Sequence, residues 1–212
     1  MSFRYSGATM SPSQELIERR RHEIARAAST AFASNGYHAT GVADIAEELG
    51  IGHGTFYRYF ENKRDILDFV IGEVLARVGG ALASEDPSAA ESIGEYRGQA
   101  ERIGGALFDV FIENPELAQL FFVEAVGVDR ESAEKVFDAQ ELMAATGAQY
   151  LRNGIDRGYL PADLDAISTA RAINGMIFAC TMAVMREPDP AAVRDRWVEA
   201  IVRLMFDGIR PR

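Results

Sequence analysis

The chain of 212 residues has one cysteine, Cys180, so it cannot close an internal disulfide. A lone thiol fits a reducing, cytoplasmic setting. No apolar run approaches the roughly 20 residues needed to cross a bilayer. The opening stretch, MSFRYSGATM, lacks the apolar segment of a secretory signal. Neither membrane insertion nor export is expected. There are three histidines, His22, His38 and His53, all near the N-terminus and badly placed to share a metal with Cys180. A Walker loop, a Gly-x-Ser-x-Gly elbow and an HExxH helix are all missing, so no enzyme activity, metal or cofactor is expected. Alternating β-branched runs with Asn-Gly or Asp-Gly turns are also missing, which argues against strands.

Nearly half of the residues, 48%, are hydrophobic, enough for a sizeable core and against wholesale disorder. The formal charge is −10, but it is unevenly spread. Residues 1–70 hold 8 Lys and Arg against 9 Asp and Glu, leaving the large acidic excess in residues 71–212. A near-neutral N-terminal part can still present a basic face to an anion. The acidic remainder discourages indiscriminate adhesion to nucleic acid.

The spacing predicts an all-α chain. Ser11, Pro12 and Gln14 form a helix start with a capping box. Ile17, Ile24, Ala28, Ala31 and Phe32 then recur at helical spacing, and Gly36 is placed to stop the helix. Thr40 is placed to cap a short second helix with Val42, Ile45, Ala46 and Leu49 on one stripe. Gly50 ends it. A third short helix is expected from about Gly52 to Tyr59, and a fourth carries Ile66, Leu67, Val70, Val74 and Val78. Residues 79–90, rich in small residues and acids, read as a helix–helix loop. Five further helices are expected at about 88–113, 115–127, 130–157, 163–186 and 190–209, with a Pro, Gly or Asp at each break.

Two short helices joined by a glycine-bearing turn and braced by a longer first helix make a helix-turn-helix layout, whose second helix enters the DNA major groove. At about 100° per residue, Phe56 and Tyr59 fall on one side of the third helix, while His53, Gly54, Tyr57 and Arg58 fall on the opposite arc. Phe56, with Phe60, reads as the anchor to a small core. The other arc offers an imidazole, a phenol and a guanidinium, with Gly54 leaving room for close approach. Arg58 suits a guanine edge or a phosphate, or stands as a solvated charge. Tyr57 and Tyr59 suit phosphate oxygens, Thr40 lies at a helix N-terminus that favours an anion, and Lys63 can reach the DNA backbone. The run Arg19, Arg20 and Arg21 is either a solvated face paired with Glu15 and Glu23 or a phosphate contact.

Residues 16–69 resemble the DNA-binding domain of the tetracycline-repressor (TetR) family of bacterial transcription regulators. Ile24, Ala27, Ala28, Phe32, Gly36, Tyr37 and Thr40 match, and VADIAEELGIGHGTFYRYFENKRDIL, 42–67, follows almost position by position. The resemblance implies nine or ten helices, a dimer formed through the last helices, a palindromic operator, and a small C-terminal ligand that releases the DNA. It implies DNA contact by Thr40, His53, Tyr57, Tyr59 and Lys63; with Gly54, Thr55 and Arg58 these are the candidate DNA-binding residues. One departure is Gly52, where the family usually has serine or a similar capping residue, so a hydroxyl-to-phosphate contact is missing. The expected organisation is a helix-turn-helix domain over 11–62 and a helical effector-binding and dimerisation domain over 63–212. The expected partners are double-stranded operator DNA, an unidentified small effector and a second copy of the chain.

Within the C-terminal part, Gly175, Ala179 and Ala183 recur every four residues and give one helix a smooth face. Val193, Trp197, Ile201, Leu204 and Met205 form a stripe on the last helix. Two such helices from each of two chains can pack as a four-helix interface, or the same residues can pack within one chain. Phe108, Phe111, Phe121, Phe122, Met143, Tyr150, Phe178 and Met182 supply adaptable apolar groups, either as core or as the lining of a ligand cavity. Asn174 and Arg97 are candidate polar tethers. This composition suits a hydrophobic or amphipathic ligand. Cys180, in an apolar helix, reads as an inert core thiol.

Overall fold

A computed structural model describes residues 11–209. The segment MSFRYSGATM, read above for its lack of a secretory core, lies outside the described residues. The first helix, α1 (Pro12–Asn35), starts through the expected reciprocal box. The Ser11 hydroxyl accepts from the Gln14 N–H, and the Gln14 side chain accepts from the Ser11 N–H at 2.9 Å. Gly36 ends it with φ of +84°, a region open to glycine at little cost, and donates its N–H to the Phe32 carbonyl at 2.8 Å.

The second helix, α2 (Val42–Glu48), departs from expectation at its start. Gly41, not Thr40, holds the N-cap, and the Asp44 carboxylate accepts from the Gly41 N–H at 2.7 Å. The Thr40 hydroxyl turns the other way and donates to the carbonyls of Gly36, at 2.9 Å, and Ala31, at 3.3 Å. The third helix, α3 (His53–Phe56), is shorter than the expected 52–59. Beyond it the N–H groups of Arg58 and Tyr59 reach only three residues back, to Thr55 and Phe56, so the chain tightens into a turn. Then α4 (Lys63–Leu82) begins where the Asn62 side chain accepts from the N–H groups of Arg64 and Asp65.

The chain divides into two compact units between Val70 and Ile71, within α4. In the first, Ile24, Ala28, Phe32, Ile45, Phe56, Phe60, Ile66 and Leu67 are all buried. Their spacing is helical in each element, so short helices that are marginal alone are held by a shared core.

The second unit adds α5 (Ile93–Ile112), α6 (Pro115–Gln119), a π-helical turn (Leu120–Glu124), α7 (Ala125–Val128), α8 (Arg130–Asp156), α9 (Ala166–Val184) and α10 (Pro190–Phe206). Asp129, Asp165 and Asp189 each accept a backbone N–H at the start of a long helix, so three expected breaks are also caps; Ser92 does the same for α5, which starts at Ile93 and not near the expected residue 88. The principal pairings are α8 with α9 and α5 with α10. No strand occurs among the described residues.

One helix differs from the expectation of no membrane-length apolar segment. Helix α9, with 19 residues, is long and apolar enough to cross a bilayer by length and composition. Alanine, isoleucine, methionine and phenylalanine raise its hydropathy although Arg171 and Asn174 interrupt the run. Only Ala166, Ala170, Thr181 and Val184 of this helix are buried within the chain, which leaves an apolar face uncovered.

Candidate functional site

Two places stand out, one in each unit. In the first, α2, the turn at Gly50 and α3 present the expected outer arc. Tyr57 is 56% exposed, and His53, Gly54 and Arg58 are exposed beside it. Thr55 and Tyr59 are half-buried. Phe56 and Phe60 face inward with 0% and 1% exposure, their ring centroids 6.3 Å apart, and the Tyr57 ring meets Phe56 edge-on. One tight helical turn thus separates an aromatic anchor from a polar, partly cationic outer face. Arg21 of α1 lies over the rings of Phe60 and Phe69, at 4.8 and 4.7 Å from their centroids. Arg20 pairs with Glu23.

Two candidates are spent internally. Thr40 is only 2% exposed and its hydroxyl bridges the carbonyls described above. The Lys63 ammonium donates to the carbonyls of Tyr37, His38 and Thr40 at 2.8, 3.4 and 3.1 Å, and it lies 4.5 Å from the centroid of the Tyr37 ring. An ammonium has three protons, and here each has an acceptor. These two side chains clamp the turn between α1 and α2; they do not stand free to meet phosphate.

The second unit holds a cavity between α5, α8, α9, α10 and the end of α4. It encloses about 700 Å³, counting the part open to solvent, and seventeen residues wall it. Of the candidate ligand residues, Phe108, Tyr150 and Asn174 line it. Phe111, Phe121, Phe122 and Phe178 do not. They form a separate aromatic cluster, with Phe122 at 5.0 Å from Phe111 and Phe121 and 4.9 Å from Phe178, beside the π-helical turn. Met143 and Met182 are half-buried and outside the wall. Arg97 is not a tether either: its guanidinium is held by Asp207 at 2.8 and 3.0 Å.

The wall also contains Tyr96, and it contains residues that aromatic content does not single out: Ala100, Ile103, Gly104 and Leu107 of α5, Ile177 of α9, and Val198 and Val202 of α10. The α5 set repeats at helical spacing with small residues midway along the stripe. That interruption is the signal, because an apolar stripe with gaps leaves room that a full one would fill. The Tyr150 hydroxyl donates to the carbonyls of Leu82 and Glu85 at 2.7 and 2.8 Å, binding the end of α4 to the cavity wall. Burial pushes the phenol of Tyr96 up, and the nearby phenols of Tyr159 and Tyr150 add to it. The Cys180 thiol is also pushed up by burial, which favours its protonated form.

The candidate interface residues divide. Gly175 and Ala179 lie exposed on α9, with Ala183 half-buried, and Leu204 of α10 is 44% exposed. Ile201 is 7% exposed and Met205 is half-buried, and both face inward to the cavity. Val193 and Trp197 pack half-buried against Phe108, Val184, Val198 and Val202. No cluster of three or more His, Cys, Asp or Glu residues suited to a metal ion occurs among the described residues.

Residues 24–70 match the family model described as bacterial regulatory proteins, tetR family. The chain is similar to the HTH-type transcriptional regulator HbdR of Aromatoleum sp. (strain CIB), 41% identical over 61 residues, 29% of this chain and 27% of that protein. In the first curated relatives the match thus spans about a quarter of their length. It is similar over a longer stretch to the HTH-type transcriptional repressor KstR of Mycobacterium tuberculosis, 26% identical over 91% of this chain and 83% of that protein. In fold it is similar to the transcriptional regulator FadR of Bacillus subtilis, solved in complex with stearoyl-CoA, with a TM-score of 0.65 and 24% identity over 89% of this chain and 99% of that chain. The matched helices are those that carry the exposed arc of His53, Tyr57 and Arg58, so residues 24–70 form a domain of the tetR family of bacterial regulatory proteins.

Proposed function

We propose that the chain is a cytoplasmic, homodimeric transcriptional repressor that leaves a palindromic operator when a hydrophobic or amphipathic small molecule enters the cavity of the second unit. The observation that carries this reading is the outer face of the α3 turn, where exposed His53, Gly54, Tyr57 and Arg58 stand over buried Phe56 and Phe60. Such a face gives base-edge readout to Arg58 and phosphate contacts to Tyr57, with Thr55 and Tyr59 at its edge. The near-neutral N-terminal unit supplies the reading head, and the acidic second unit keeps non-specific adhesion low. In the domain terms of the sequence, 11–62 reads DNA, and 63–212 holds the effector and the dimer contact.

A second copy is the natural cover for the apolar face of α9. Gly175 and Ala179 allow helices to approach closely, and two reading heads match half-sites about 34–36 Å apart. The similarity to FadR, solved with stearoyl-CoA, supports a ligand of lipid character.

The test is selection of DNA from a random pool with purified protein, followed by footprinting of the selected site. A single palindromic sequence is expected. Arg58→Ala should relax preference at one base pair per half-site by about 1–3 kcal/mol while the remaining positions keep theirs. Enrichment of no sequence at moderate salt would end this reading. Sedimentation of the protein alone should give a dimer, whereas flotation with phospholipid vesicles would assign the α9 face to a membrane instead.

A further inference from the structure

The cavity narrows the chemistry of its occupant, an inference that rests on the proposed effector site. None of the seventeen residues in its wall carries a charge. A carboxylate or phosphate brought inside would shed its water and meet no cation, and an unpaired buried charge is costly. Three arginines of α5 and α10 are committed to carboxylates: Arg97 to Asp207, Arg102 to Glu85, and Arg194 to Asp109 and Asp195.

The polar groups in the wall are neutral and differ in what they can still do. The single proton of the Tyr150 hydroxyl is shared between the carbonyls of Leu82 and Glu85, so its oxygen can only accept. The Asn174 amide donates to the Gln140 carbonyl at 3.4 Å. Tyr96 is 6% exposed and packs its ring against Tyr159 and Phe206, yet no protein group hydrogen-bonds its hydroxyl among the described residues. Its hydroxyl is not sealed off from the cavity that Tyr96 lines, so a group entering there can take it as a hydrogen-bond partner.

We infer that the effector is an uncharged lipid, a hydrocarbon body ending in one hydroxyl or carbonyl group, and that the Tyr96 hydroxyl receives this group. The rest of the wall, branched aliphatic side chains with Ala100 and Gly104, takes the hydrocarbon.

Binding is followed through the fluorescence of Trp197, the only tryptophan, whose neighbour Val198 is in the wall. The probes are 1-decanol, 1-chlorodecane, sodium decanoate and decanoyl-CoA at pH 8. Saturable binding of 1-decanol is expected, with 1-chlorodecane and decanoate each at least about tenfold weaker. Tyr96→Phe should weaken 1-decanol by about tenfold and leave 1-chlorodecane unchanged. Decanoate or decanoyl-CoA binding as tightly as 1-decanol, or none of the four probes binding, would overturn the assignment of an uncharged ligand. Equal affinity of the wild-type protein for 1-decanol and 1-chlorodecane would overturn the role of Tyr96, whether or not the variant folds. No DNA enters these titrations, so loss of the repressor reading appears separately, in the operator selection.

Discussion

Lys63→Met separates two roles for one cation. Methionine keeps most of the length of the side chain and removes the ammonium. In the structure that ammonium donates to three carbonyls, at Tyr37, His38 and Thr40, and sits over the Tyr37 ring. A hydrogen bond from a charged donor contributes about 1.5–3 kcal/mol when well formed, and a partly exposed cation over an aromatic ring adds about 0.5–1 kcal/mol. The contacts to Tyr37 and Thr40 are partly buried and that to His38 is exposed, so water recovers part of the loss. A net destabilisation of about 2 kcal/mol is expected for the N-terminal unit. Urea unfolding followed by circular dichroism measures it. The same variant is then titrated with operator DNA from 50 to 200 mM salt, at a temperature where it is folded. If Lys63 only clamps the turn, the slope of log K against log salt matches the wild type. If it also neutralises a phosphate, the slope falls by about 0.9. An unchanged unfolding midpoint together with a reduced slope would refute the clamp and restore the DNA contact implied by family resemblance.

Phe56→Ala empties a site with 0% exposure in a small core and should cost about 3–5 kcal/mol; calorimetry should show the N-terminal unit melting early while the larger unit keeps its transition. Gly154→Ala places a methyl at 2.6 Å from side-chain atoms of Leu160 and Tyr159, and the overpacking should cost about 1–3 kcal/mol in thermal unfolding. Ala179→Glu puts a carboxylate on the exposed face of α9 and should convert a sedimenting dimer to monomer without lowering the helical signal; a persistent dimer would move the interface elsewhere.

The helical order and most caps were readable because they depend on neighbours in sequence. Ser11 with Gln14, and the aspartates before α8, α9 and α10, need only local geometry to find their N–H partners. The arc of His53, Tyr57 and Arg58 was readable for the same reason, since helical periodicity sorts it from Phe56. Thr40 and Lys63 were not. Threonine before a helix is an ordinary cap, and only the return of the chain past Ala31 and Gly36 gives its hydroxyl better acceptors. The Lys63 partners lie 23 to 26 residues away. In the second unit, aromatic content pointed at Phe111, Phe121, Phe122 and Phe178, which satisfy one another. The cavity is made by side chains that are too small to close it, and the absence of volume leaves little trace in composition.

The hydroxyl of Tyr150 has a consequence for which occupants of the cavity are heard. It holds the carbonyls of Leu82 and Glu85, so the last turn of α4 and one wall of the cavity are a single bonded piece. A guest that fits while leaving that ring in place binds without any message to α4. A guest that must turn the ring spends part of its affinity on two broken hydrogen bonds and delivers the remainder as movement of the helix end. Tightness and potency are then separate properties, and the strongest binder among related molecules need not be the strongest inducer.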